Sequence, residues 1–210
     1  MKCGKIVCVG QNYRAHIKEL KSEVPDEPVL FLKPGSALIG DGDEIVIPSG
    51  LGRVDYEVEL ALVIGTRCKK VPKARAMEQV SAVAVFNDVT ARDMQSKARK
   101  AGLSWSLSKG MDTFAPMSQP LPIGEAPDLH SLRLRTRLNG ELRQDGSTAE
   151  MIFPPEVLIA YISNYMTLEP GDIIVTGTPE GVGPIKDGDL LEMTIPGIGR
   201  LTNRVAASSQ

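Results

Sequence analysis

Val54-Asp55-Tyr56-Glu57-Val58-Glu59-Leu60-Ala61-Leu62-Val63-Ile64 is the stretch from which the rest of the chain can be read. Its residues alternate with period two, the signature of a β-strand, so Val54, Tyr56, Val58, Leu60, Leu62 and Ile64 share one face. Asp55, Glu57 and Glu59 share the other, followed there by apolar Ala61 and Val63. A strand that is apolar on both faces over its second half runs into an interior, which puts its acidic half at the mouth of something buried. Glu57 and Glu59 then project in parallel, about 7 Å apart along the backbone. Partly buried carboxylates drawn to about 4 Å repel by roughly 4 kcal/mol at an effective dielectric of about 20. A proton on one of them, or a divalent cation between them, resolves the repulsion. The alternative for an E-x-E strand is a solvated edge whose acids serve solubility.

Working outward, short runs rich in β-branched residues predict strands at residues 5–9, 29–32, 44–47, 82–87, 132–138, 172–176, 190–195 and 201–205. Asn139-Gly140 is a hairpin signal, since both residues tolerate the positive φ of a type I′ turn. It puts Arg133, Arg135 and Arg137 on one face, which reads as a solvated outer surface. Helical periodicity covers residues 12–21, 73–80, 91–100 and 155–166; the last opens on Pro154-Pro155-Glu156 and is apolar nearly all round, a core helix. Four helices are too few to cover both faces of a doubly wound sheet. The expected fold is α+β, a strand-rich mixed β-roll with a few short helices.

The chain has 210 residues, 20 of them Gly and 15 Pro, scattered as punctuation between short apolar runs. This predicts a single domain over residues 1–210, with a frayed tail at about 206–210. With 24 Lys+Arg against 26 Asp+Glu, a net charge of -2 and a short arginine stripe without interleaved aromatics, nucleic acid is not an expected partner. No apolar run reaches the roughly 18 residues of a membrane helix, and residues 6–9 are too brief for a signal-peptide core. Cys3, Cys8 and Cys68 form no C-x-x-C pair, which suits a reducing compartment, so a cytoplasmic protein without disulfides or zinc is expected.

Asp88 ends the apolar run Ala82-Val83-Ala84-Val85-Phe86-Asn87, a third carboxylate where a buried strand surfaces. Glu57, Glu59 and Asp88 make an oxygen-only ligand set that favours a hard ion, Mg²⁺ first, with Mn²⁺ or Ca²⁺ as substitutes. Asp88 alone also reads as an acid at a helix N-terminus. His16 and Glu19 lie three residues apart on one helix side, where the carboxylate can fix the imidazole tautomer and raise its basicity; an inert surface pair is the alternative. The glycine-rich stretch Thr176-Gly177-Thr178-Pro179-Glu180-Gly181-Val182-Gly183 lacks P-loop and dinucleotide spacing. Its N–H groups and the Thr178 hydroxyl suit a small carboxylate, or the stretch is a tight turn. Residues 20–28, rich in charge and proline, are a candidate lid or an ordinary loop.

Taken together, Val9-Gly10-Gln11-Asn12-Tyr13-Arg14-Ala15-His16-Ile17-Lys18-Glu19, Glu57-Val58-Glu59, Asn87-Asp88-Val89-Thr90-Ala91-Arg92-Asp93, Gln95, Lys109 and Gly171-Asp172-Ile173-Ile174-Val175-Thr176-Gly177-Thr178-Pro179 resemble the fumarylacetoacetate hydrolase family. Pro28-Val29-Leu30-Phe31-Leu32-Lys33-Pro34 is similar to its short, single-domain acylpyruvase and oxaloacetate-processing branch. The resemblance implies the mixed β-roll of that family's C-terminal domain, a homodimer, and Mg²⁺ held by Glu57, Glu59 and Asp88. It further implies that His16 and Glu19 activate water, that Lys109 stabilises negative charge, and that Arg92, Gln95 and Thr178 grip the keto-acid end of a small 2-oxo acid. Gln11 stands where many relatives carry Arg. The implied reaction is Mg-dependent hydrolysis of a C–C bond in acylpyruvates to pyruvate and a carboxylic acid. Keto-enol tautomerisation or decarboxylation of oxaloacetate uses the same site; a non-catalytic metal-binding domain is the reading from another class.

Overall fold

The computed structural model describes residues 3–19 and 22–208. Leu20 and Lys21, with which the candidate lid begins and the first expected helix ends, and Ser209 and Gln210 of the expected tail lie outside the described residues. The strands are β1 (Lys5–Gly10), β2 (Val29–Pro34), β3 (Leu38–Ile39), β4 (Glu44–Ile47), β5 (Val54–Tyr56), β6 (Val58–Ile64), β7 (Val80–Asn87) and β8 (Thr90–Ala91). They continue as β9 (Ala115–Pro116), β10 (Leu121–Pro122), β11 (Arg133–Leu138), β12 (Glu141–Ser147), β13 (Ile173–Val175), β14 (Gly183–Ile185), β15 (Leu190–Ile195) and β16 (Gly199–Ala207). Four α-helices accompany them: α1 (Arg14–Glu19), α2 (Arg92–Lys100), α3 (Ser106–Lys109) and α4 (Pro155–Tyr165). The fold is the strand-rich α+β class expected from the sequence.

A six-stranded sheet in the order β10-β7-β6-β13-β1-β2 packs beside a five-stranded sheet, β12-β11-β15-β16-β4, while β14-β5-β8 and β3-β9 form smaller sheets. Val7, Val9, Leu60 and Leu62 face the main core with Leu134, Met193, Leu201 and Leu158. Ile6, Cys8, Ala61, Ala84, Phe86 and Val175 fill a second core behind the same sheet. Burial on both faces explains why β1, β6 and β7 read as apolar runs. Register brings their functional ends together: β7 and β13 both run antiparallel to β6, and β1 runs parallel to β13. The C-terminal ends of β1, β7 and β13 therefore meet the N-terminal end of β6.

Five expectations from the sequence differ from the structure. The strand at residues 54–64 is broken at Glu57, because the Glu57 N–H bonds the Asn87 side chain at 3.0 Å and its carbonyl takes the Asp88 N–H at 2.9 Å. β5 consequently pairs with β14 and β8, whereas β6 pairs with β7 and β13. The helix expected at residues 73–80 is a 3₁₀ segment, Lys73–Gln79, in which only Ala76 is buried, so no apolar stripe selects the α-helical period. The first helix starts at Arg14 because the Asn12 side chain is held outside it, its amide donating to the Thr176 carbonyl at 2.7 Å. α4 buries Leu158, Ile159 and Ile162 on one side but leaves Tyr165 64% exposed, so it is a one-faced core helix. At the C-terminus, Ala206 and Ala207 pair with Val46 and Ile47, which ties down the start of the tail.

The hairpin forms as read, with positive φ at both Asn139 and Gly140. Arg133 and Arg135 on its exposed face both donate to Asp145. Among the described residues no helix is long and apolar enough to cross a membrane.

Candidate active site

All nine residues nominated from the sequence, His16, Glu19, Glu57, Glu59, Asp88, Arg92, Gln95, Lys109 and Thr178, line one cavity of about 310 Å³. The break after β5 sets Glu57 opposite Asp88, and the next inward residue of that face is Glu59. Their carboxylate oxygens offer a ligand set within 4.8 Å, and all three side chains are buried. β6 is an interior strand and Asp88 precedes β8 rather than opening a helix, so neither the solvated-edge nor the helix-terminus reading describes these acids.

The three carboxylates are neutralised unequally. Glu57 accepts from Lys109 Nζ at 3.0 Å and from Arg92 Nη2. Burial pushes its carboxyl up, yet Lys109 and Arg92 outweigh that and hold it well below the usual range. Asp88 Oδ2 accepts from Lys109 at 2.5 Å, and Oδ1 lies 2.7 Å from Lys33 Nζ. The three Lys33 donors go to the carbonyls of Val89, Lys109 and Phe114, at 3.0, 2.6 and 2.6 Å, so Asp88 Oδ1 accepts no hydrogen bond. Glu59 has no cationic partner among the described residues and accepts only the Gly177 N–H. Burial, with Asp88 and Glu57 beside it, pushes the Glu59 carboxyl well above the ordinary range. A buried oxygen without a hydrogen bond and an acid without a counter-ion, in an all-oxygen set, fit a hard divalent cation. Gly177 can make its contact because it has φ +95° and no side chain; a Cβ there would lie 2.7 Å from Asn12 Cβ.

His16 Nδ1 and Glu19 Oε2 are 3.0 Å apart, and Glu19 Oε1 accepts the Gly181 N–H at 3.2 Å. Burial raises the Glu19 carboxyl, but these two bonds more than offset it and hold it below its ordinary value. The pair leaves the other His16 ring nitrogen for the cavity. Arg92 is committed to protein groups: Nε to Asp55 at 2.8 Å, Nη1 to Gln95 Oε1 at 2.8 Å, Nη2 to Glu57. The Gln95 amide nitrogen stays available as a donor. Lys109 gives its third donor to Thr90 Oγ1 at 2.6 Å, so all three are engaged. Thr178 Oγ1 accepts from Gln144 Nε2 at 2.9 Å, which leaves its own hydroxyl proton to donate.

Sequence reasoning missed the supports. Lys33 was read as lying just past an apolar strand, yet it is in phase with Phe31 and buried; a lone lysine in that phase was the signal. Asp55 shares a face with Glu57 and receives both Arg53 and Arg92. Gln144, buried in the strand after the hairpin, carried no signal.

A buried carboxylate triad beside a His-Glu pair, in a small cavity at converging strand ends of a mixed roll, defines a metal-dependent class of site. The model of the fumarylacetoacetate (FAA) hydrolase C-terminal family matches residues 5–206, and the chain belongs to that family. It is 46% identical over 200 residues to the human oxaloacetate tautomerase FAHD1, mitochondrial, covering 95% of this chain and 90% of that protein. The crystal structure of fumarylpyruvate hydrolase from Pseudomonas aeruginosa in complex with Mn²⁺ and pyruvate superposes with a TM-score of 0.94 at 33% identity, over 98% of this chain and 91% of that one. That of 5-carboxymethyl-2-hydroxymuconate delta-isomerase from Mycobacterium smegmatis gives 0.88 at 44% identity, over 99% and 80%.

Proposed function

We propose that this chain is a Mg²⁺-dependent enzyme of short 2-oxo acids whose chemistry runs through an enolate, with keto-enol tautomerisation of oxaloacetate as its reaction. The observation that carries this is the buried triad of Glu57, Glu59 and Asp88 sharing one cavity with the His16–Glu19 pair. Relatives named for tautomerisation, hydrolysis and isomerisation support a common enolate step. Mn²⁺ in the Pseudomonas structure supports a divalent ion here, and the hard oxygen set favours Mg²⁺.

Glu57, Glu59 and Asp88 would hold the ion, which when bound supplies a Lewis acid for the 2-keto oxygen and a template for the adjacent carboxylate. The Thr178 hydroxyl and the Gln95 amide nitrogen donate to that carboxylate. His16, its tautomer fixed through Nδ1 by Glu19, takes the C3 proton at Nε2 and delivers it to the 2-oxygen, which converts keto to enol, and carries it back from oxygen to C3 in the reverse direction. Lys109, its donors engaged, acts as a fixed positive charge behind the developing enolate oxygen rather than as a direct donor. Hydrolysis of acylpyruvates is the second reading, favoured by the same pair, because His16 and Glu19 can equally take a proton from water. A homodimer in the cytoplasm belongs to this proposal. Exposed Leu32, Leu103 and Leu107 support an interface, and three free cysteines support a reducing compartment.

The test is a parallel ultraviolet assay of oxaloacetate and acetylpyruvate with Mg²⁺ or EDTA, following enol absorbance and pyruvate separately. Mg²⁺-dependent enol loss from oxaloacetate without pyruvate is expected. Pyruvate release from acetylpyruvate at a higher kcat/KM would replace tautomerisation by hydrolysis, and activity indifferent to EDTA would remove the metal.

A further inference from the structure

The cavity has a second positive pole. α2 presents Arg92, Gln95, Ser96 and Arg99 to it, the i, i+3, i+4, i+7 spacing of one helical face. Seven residues carry Arg99 about 10 Å along the helix axis from Arg92. The two arginines differ in what holds them. Arg92 is half-buried and committed to Asp55, Glu57 and Gln95, whereas Arg99 is exposed and, among the described residues, donates only to the Ser22 hydroxyl, at 3.3 Å. Among the described residues no carboxylate pairs with Arg99. Glu19, the most exposed of the acids that line the cavity, has its oxygens on His16 and the Gly181 N–H.

Another wall of the same cavity carries Phe31 and Trp105, ring centroids 5.5 Å apart at 59°, and Trp105 lies flush on Gly10, where a Cβ would meet the indole at 3.5 Å. Aromatic faces offer a distal carboxylate no partner, and a guanidinium offers it charge-assisted, bidentate bonds. A guanidinium held by one long hydroxyl contact gains most from such a ligand.

We infer that Arg99 is a specificity-determining residue that binds a second, distal carboxylate, so that the site selects short dicarboxylic 2-oxo acids over those with a neutral distal group. The inference rests on the reading of the triad as the end that holds the 2-oxo acid. Its two charges are then read at opposite ends, the first by the triad with its ion, the second by Arg99 against the aromatic wall.

The test uses non-reacting probes on the Mg²⁺-loaded protein: oxalate, which has no distal group, lactate, and malate, which is lactate with a distal carboxylate. Binding is read by calorimetry and by fluorescence of Trp105, the chain's single tryptophan, inside the cavity. Malate is expected to bind about tenfold more tightly than lactate, the scale of one charge-assisted bond. Arg99→Gln erases that advantage and leaves oxalate and lactate within about twofold, while Arg99→Lys keeps most of it. Malate no tighter than lactate in the unsubstituted protein, or all three ligands weakened alike by Arg99→Gln, overturns the inference alone. Failure of oxalate to bind with Mg²⁺ present would overturn the reading of the site, and the inference with it.

Discussion

Lys33 and Glu59 show opposite ways of burying a charge. Lys33 is surrounded by three carbonyls and Asp88, so replacing it by methionine strips all four of their cation. Breaking one side of a buried pair costs about 3–5 kcal/mol, and Lys33→Met should lower the unfolding free energy by about that much in a urea titration. A loss under about 1 kcal/mol would contradict the arrangement. Glu59, lacking a counter-ion, works against the fold when ionised. Its folded-state carboxyl titrates above its unfolded value, so the native chain retains a proton that the unfolded chain releases. That contribution is complete below about pH 4.5 and is lost as pH rises through the raised folded value. Glu57 and Glu19, held low, keep their contributions throughout that window. In EDTA the melting temperature should therefore fall as pH is raised above about 4.5, and Glu59→Gln, which can still accept the Gly177 N–H, should flatten the slope. An equally steep slope in the variant would show that another group is responsible.

The elements explain which parts were legible. Strands such as β4 and β15 were read at their observed bounds because β-branched runs between turn residues have few alternatives. The crossover of the chain between two sheets at Glu57 was not legible, since the bond that turns it comes from Asn87, thirty residues away in sequence. The triad survived that error because side-chain alternation continues through the break. α3, which carries Lys109, spans only four residues, too few for any periodic signal, and Lys109 entered through family resemblance alone. The turn after β13 was read as open between a carboxylate site and a tight turn, and its geometry serves both. Gly177 has a φ that residues with a side chain rarely adopt, and Thr178 follows directly into the cavity. Gly177→Ala should cost about 1–3 kcal/mol from the positive φ, more with the Asn12 clash, and reduce Mg²⁺ affinity by displacing the N–H from Glu59. Parallel denaturation and metal titration measure both; unchanged values in each would contradict the role given to this turn.

For the molecule as a whole, two cores on either side of one sheet hold strand ends in fixed register, and that rigidity lets three acids stay close against their repulsion. Dimerisation belongs to the same scale: sedimentation at micromolar concentration should give twice the 22.6 kDa chain mass, and a monomer at that concentration would contradict the proposed interface. The most direct measurement is calorimetric titration of the metal-stripped protein with Mg²⁺ in two buffers of different ionisation enthalpy. One ion per chain is predicted, with a proton released to the buffer as the cation displaces it from Glu59, and loss of binding in Asp88→Asn. No Mg²⁺ binding, or binding unchanged by Asp88→Asn, would contradict the reading of Glu57, Glu59 and Asp88 as a metal site.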